Sequence, residues 1–134
     1  MSLVEYISCK DKALDDTIID YLNNRSKSEI TKQYVFFVRD ISVAYIAIDW
    51  HQLSKGYACL YELIVVSQYR RKGHGNEILL KVESLVKNQG YQKLILWPRL
   101  IDKSNMQEED LVKWYQKRGY KNSSMYEGLL EKQI

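Results

Sequence analysis

Leu60-Tyr61-Glu62-Leu63-Ile64-Val65-Val66, Ser67-Gln68-Tyr69-Arg70-Arg71-Lys72-Gly73-His74-Gly75 and Asn76-Glu77-Ile78-Leu79-Leu80 run on without a break, and their reading decides the fold. The first part reads as a β-strand, the second as a basic turn holding two glycines, and the third as the opening of a helix. A strand that feeds a helix through glycines leaves backbone N–H groups unpaired at the helix N-terminus, where the helix dipole is positive. Arg70, Arg71 and Lys72 stand beside them, so the stretch predicts an anion-binding site suited to phosphate.

Upstream, the strand extends over residues 57–66, behind the turn Ser54-Lys55-Gly56. Two earlier β-rich runs, Tyr34-Val35-Phe36-Phe37-Val38 and Val43-Ala44-Tyr45-Ile46-Ala47-Ile48, are separated by Arg39-Asp40-Ile41-Ser42 and predict a hairpin. Three antiparallel strands in succession follow. Residues 25–33 are polar and poorly periodic, a loop or a short broken helix; beside an active site such a segment would shape the substrate entrance. Before them, Ser8 with Asp11 predicts a helix N-cap, Leu14, Ile18, Tyr21 and Leu22 recur at helical spacing up to Asn23-Asn24, and residues 4–7 alternate as a short strand.

Downstream, Ile78, Leu79, Val82, Leu85 and Val86 make one apolar helix face, with Gly90 as the expected residue just past its end. Leu94-Ile95-Leu96-Trp97, stopped by Pro98, is continuously apolar, as a strand covered on both faces should be. Strand, helix, strand in this order is a right-handed crossover, which makes this strand parallel to the one over residues 57–66. After a loop over residues 99–105, Asn105 with Glu108 resembles a capping box; Glu108, Glu109 and Asp110 fill the first turn of a last helix and Gly119 ends it. Residues 120–130 close the sheet with one or two strands.

Bulk properties narrow the function. A chain of 134 residues is long enough for one domain, residues 1–134, with its own core. Cys9 and Cys59 form no CxxC motif, and His51 and His74 have no partner at ligand spacing, so no metal is expected. The net charge of +3 is mild and acids are interspersed with the bases, so neither nucleic acid nor an anionic membrane is an expected partner. No apolar run approaches the length of a membrane span and the start lacks the pattern of a signal peptide, which predicts a cytoplasmic protein.

The order of elements, an α/β fold with a mostly antiparallel central sheet, one parallel strand pair and helices on both faces, resembles the GCN5-related N-acetyltransferase (GNAT) superfamily. Arg70-x-x-Gly73-x-Gly75 fits that family's (Gln/Arg)-x-x-Gly-x-(Gly/Ala) signature, and Val65-Val66-Ser67-Gln68-Tyr69 stands where the family commonly has Val-x-Pro-x-Tyr. Trp114-Tyr115-Gln116-Lys117-Arg118-Gly119-Tyr120 is similar to its aromatic-Tyr-x-x-x-Gly-aromatic segment. Ser67 replaces the usual proline, and Asn105 is the candidate to replace an asparagine the family often carries before the tyrosine.

The resemblance implies acetyl-coenzyme A as donor and a primary amine of a small molecule or peptide as acceptor, joined in a ternary complex. N–H groups from Arg71 to Asn76, through Gly73, His74 and Gly75, would hold the pyrophosphate, with Arg70, Arg71 and Lys72 adding charge-assisted contacts. The pantetheine arm would run along Ile64, Val65 and Val66, leaving the thioester carbonyl opposite a backbone N–H. An amine with a pKa of roughly 10.4 must lose a proton before it attacks, and Glu62 is the candidate base. Tyr115 resembles the family's general acid; because free tyrosine (about 10) is a weaker acid than a thiol (about 8.5), a hydrogen bond to the leaving sulfur describes it better than full transfer. The alternative reading is a catalytically inactive CoA-binding module of the same fold, and a nucleic-acid-binding role for Arg70-Arg71-Lys72 ranks last. The final strands of this fold often take part in dimers, so the oligomer the resemblance implies is a homodimer.

Overall fold

Val35, Phe36 and Phe37 follow one another along the chain and are all buried, which a strand achieves only when both faces of its sheet are covered. The computed structural model describes residues 1–9, 12–25, 27–70, 72–98 and 107–134. Among these the order is β1 (Ser2–Glu5), α1 (Asp16–Asn24), β2 (Thr31–Val38), β3 (Ile41–Asp49), β4 (Tyr57–Val65), α2 (His74–Asn88), β5 (Lys93–Leu96), α3 (Glu108–Gln116), β6 (Lys121–Asn122) and β7 (Leu130–Gln133). The strands form one sheet in the order β1-β2-β3-β4-β5-β7-β6, antiparallel throughout except for β4 with β5. The expected mixed α/β architecture is therefore present.

Period-two alternation sorts the core into two layers. Phe36, Ala44, Ile46 and Ile48 join Ile78, Leu79, Val82 and Val86 of α2 and Tyr115 of α3 on one face. Val35, Phe37, Tyr45 and Ala47 join Ile18 and Leu22 of α1 on the other. Local rules set the ends. Arg39 and Asp40 both take positive φ (51° and 67°), the mirror-image turn whose twist suits a two-residue hairpin. α2 stops where Gly90, at φ 95°, donates to Lys87 O while Tyr91 donates to Val86 O, the paired bonds of a Schellman ending.

Three expectations need correction. The first helix starts at Asp16, not after Ser8: residues Tyr6–Ser8 form a 3-10 turn, and Asp15 is the N-cap, its carboxylate accepting from Thr17 N while its own N–H donates to Ser42 Oγ at 2.8 Å. β2 begins at Thr31, inside the segment read as loop, because Gln33 is buried yet satisfied by Leu22 O and the Tyr45 hydroxyl. Gln107, without a side-chain cap, precedes α3 in place of the capping box; Asn105 lies outside the described residues.

The strand expected over residues 57–66 carries a bulge. Ala47 pairs with Glu62 but Ile48 with Leu60, so Tyr61 is an extra residue in β4. Before it Ala58 and Leu60 face α2; after it Leu63 and Val65 do, and Glu62, Ile64 and Val66 turn to the α1 side.

Candidate active site

Gly73 sets the start of α2. Its φ of 82° is open to glycine and strained for other residues, no atom stands within 4 Å of where its Cβ would be, and no side chain caps the helix. The first N–H groups of α2, from His74, Gly75 and Asn76, thus keep the anion-binding capacity expected of an uncapped helix start. Gly75 has a different job. A Cβ there would lie 3.2 Å from Cζ2 of Trp114, so the missing side chain makes room for the indole of α3. Arg118 completes this joint: it stacks 3.8 Å from the Trp114 ring and its Nε donates to Asn76 Oδ1 at 3.0 Å. Lys72 is exposed, and Arg71 lies outside the described residues.

The strand leading into the turn offers a second surface. Pairing of β4 with β5 ends at Leu60 and Leu96, where the bulge begins, and among the described residues no strand lies along that edge beyond it. Val66 N donates to Val43 O, so alternation turns the N–H groups of Ile64 and Val66 toward β3 and those of Leu63 and Val65 toward the open edge. Of the expected trio, Val65 is thus the residue whose N–H faces the open edge, and the N–H of Leu63, which the sequence reading did not single out, faces it too. Arg70 Nε donates to Val65 O at 2.9 Å and ties the turn to the strand end.

Tyr115 is buried against Trp114 and Tyr120, ring centroids 5.0 and 5.6 Å away. Burial pushes its hydroxyl well above the ordinary tyrosine range, so it remains a donor at any physiological pH. It belongs to the same cluster as Leu63 and Val65. Glu62 lies on the opposite side of β4. Its side chain is fully buried, with Oε2 accepting from Nε of Arg25 at 2.8 Å and also from Nη2, while Oε1 has no partner among the described residues. That bond and the carboxylate's charge raise the pKa of Arg25. The two candidate catalytic groups thus lie on opposite faces of the sheet. Nothing in the sequence marks Arg25 as the partner of a residue 37 positions away.

The fold is similar to that of solved acetyltransferases. PaiA N-acetyltransferase from Thermoplasma acidophilum, in complex with coenzyme A, superposes with a TM-score of 0.60 at 19% identity, over 87% of this chain and 66% of that one, just under two thirds. A GNAT family acetyltransferase from Elizabethkingia anophelis with acetyl-CoA bound gives 0.66 at 14% identity, over 99% and 97%. Tetrahymena GCN5 gives 0.62 at 13%, over 80% and 70%. No curated protein matches the chain. Residues 32–122 match the family model described as an acetyltransferase (GNAT) domain, and the chain belongs to that family. No helix among the described residues is long and apolar enough to cross a membrane.

Proposed function

We propose that residues 1–134 are a single acetyltransferase domain that moves an acetyl group from acetyl-coenzyme A to a primary amine in a ternary complex. The observation that carries this reading is the opening of β4 away from β5 at the Tyr61 bulge, in the strand that leads to the uncapped start of α2. N–H groups of His74, Gly75 and Asn76 suit the pyrophosphate, and Lys72, with Arg70 and Arg71, suits the remaining phosphate charge. The open-edge N–H groups of Leu63 and Val65 suit the pantetheine amide and the thioester oxygen, where negative charge develops as the amine adds.

The amine nitrogen bonds to the acetyl carbon, the carbon–sulfur bond breaks, and two protons must be managed. Glu62 takes the one that an ammonium loses before attack, directly or through a water, and the one lost as the amide forms balances, by way of solvent, the proton the thiolate gains. Tyr115 donates a hydrogen bond to the leaving sulfur; with its pKa raised by burial, handing the proton over outright is uphill, so the thiolate completes its protonation from solvent.

The test is release of free thiol from acetyl-CoA in the presence of a panel of amines. An amine-dependent rate is expected, and Tyr115→Phe should lower kcat by about 10²-fold while the melting temperature barely moves. Hydrolysis at the same slow rate with every amine would sink the reading. A second reading, CoA binding without turnover, is favoured by one observation, the complete burial of Glu62 beneath Arg25; tight CoA binding with no amine-dependent rate would support it.

A further inference from the structure

Glu62 is a side chain whose polar capacity the fold leaves open. Guanidinium and carboxylate groups commonly pair through two parallel bonds. Here Nε and Nη2 of Arg25 both converge on Oε2, so Oε1 is buried without a partner among the described residues, and Nη1 likewise makes no hydrogen bond among them. Leaving a charged oxygen buried and unsatisfied is costly. The arrangement is complete only when something brings a donor to Oε1, and Arg25, its side chain 37% exposed, keeps an edge that makes no hydrogen bond among the described residues.

The surroundings select among visitors. Tyr21 and Tyr45 stack at 5.6 Å, the guanidinium lies 5.6 Å from the Tyr21 ring, and Tyr61 packs into the same cluster. Lys27 Nζ donates to Gln33 Oε1 at 3.3 Å, and Gln33 donates in turn to the Tyr45 hydroxyl. Among the described residues the ionic side chains bonded to one another or to Gln33 here are Arg25 and Lys27 with Glu62; Asp49, one pleat along β3 from Ala47, accepts from the Thr31 hydroxyl, and Glu29 is exposed and makes no bond to the pair. The extra charges of a polyamine would meet two cations there. A molecule with an ammonium and a carboxylate close together would satisfy both open edges.

We propose that Arg25 and Glu62 are the anchoring pair for the acceptor, Oε1 taking an N–H of its amine and the free guanidinium edge taking its carboxylate, so that the acceptor is a small amino-carboxylate. Arg25 is then the specificity-determining residue of the site. This rests on the acetyltransferase reading above for the fate of the amine, and on the geometry of the pair for its recognition.

Initial rates of thiol release are measured for one carbon skeleton in three forms, an α-amino acid, its carboxamide and the monoamine without either group, with spermidine as a polycation. The amino acid should exceed its carboxamide in kcat/KM by roughly tenfold or more, the worth of one charge-assisted contact. Arg25→Gln keeps a donor for Oε2 without the charge and should bring that ratio close to one, whereas Arg25→Lys should retain part of it; thermal denaturation checks that both variants fold. A ratio near one in the unaltered protein, or a preference for spermidine that Arg25→Gln strengthens, overturns the proposal. Calorimetric titration with the amino acid separates the two readings. Saturable binding that Arg25→Gln abolishes, with no thiol released from any amine, keeps the anchoring pair and sinks the transferase. Release without discrimination sinks the pair alone, and absence of both binding and release sinks both.

Discussion

The two faces of the sheet treat the polar groups drawn into them differently. On the α2–α3 face, Glu83 accepts the Tyr120 hydroxyl at 2.7 Å and Lys132 on both its oxygens, and Asn76 accepts Arg118. On the α1 face, Gln33 is satisfied at both ends of its amide but Glu62 keeps one bare oxygen. A saturated network has one favoured arrangement and suits a face that must hold a helix start and a tyrosine in place. An unsaturated one keeps capacity for a molecule that comes and goes.

The sharpest way to break this contrast is to remove either member of the charged pair. Arg25→Ala strands a buried carboxylate and should cost about 3–5 kcal/mol of unfolding free energy. Glu62→Gln releases a guanidinium already a third exposed and should cost only about 1–2 kcal/mol. Urea denaturation of both variants measures the asymmetry, and equal losses would mean that Glu62 is not the stranded partner. Next in size is the joint on the other face. Gly75→Ala pushes a methyl group against the Trp114 indole and should cost about 1–3 kcal/mol, relieved when Trp114→Leu is added. Gly73→Ala should cost about 1 kcal/mol through its positive φ, with no such relief. Coupling of Trp114 to position 73 instead of 75 would contradict the assignment of the two glycines.

Smallest is a pH effect shared by both faces. Burial raises the pKa of Tyr45 to about 12 and those of Tyr115 and Tyr120 further above the ordinary range, Tyr120 also through its bond to Glu83. Each neutral hydroxyl therefore favours the fold fully below the unfolded value near 10, and that contribution is lost as the pH rises through it toward the folded values. Stability in urea should hold to about pH 9 and fall beyond about pH 10, with Tyr45→Phe and Tyr120→Phe each flattening the decline. An unchanged midpoint up to about pH 11 would remove buried tyrosines from the account.

Features governed by near neighbours in the chain were legible. The glycine start of α2, its Gly90 ending and the hairpin at Arg39-Asp40 follow from rules that operate within a few residues, and the parallel partner strand at Leu94 from the handedness of one strand-helix-strand crossover. What escaped depends on residues far apart. Gln33 read as loop because its partners, Leu22 O and Tyr45, come from other elements, and Arg25 read as part of the same polar segment because Glu62 is remote. Gly75 looked like a companion of Gly73 until Trp114 was seen against it. The bulge leaves only a faint trace, since strict alternation would put Glu62 on one face with Leu60 and Ile64, a single misfit in a long apolar run.

That extra residue acts on the strand as a half-turn acts on a ribbon. Every side chain after Tyr61 emerges on the side its sequence parity denies it, so Glu62 escapes an apolar layer and meets Arg25, while Leu63 and Val65 enter that layer and aim their N–H groups at the unpaired edge. The arithmetic is of the all-or-none kind: the same residues paired in strict alternation would turn Glu62 into the layer beneath α2 and present Leu63 where Arg25 now meets an acid.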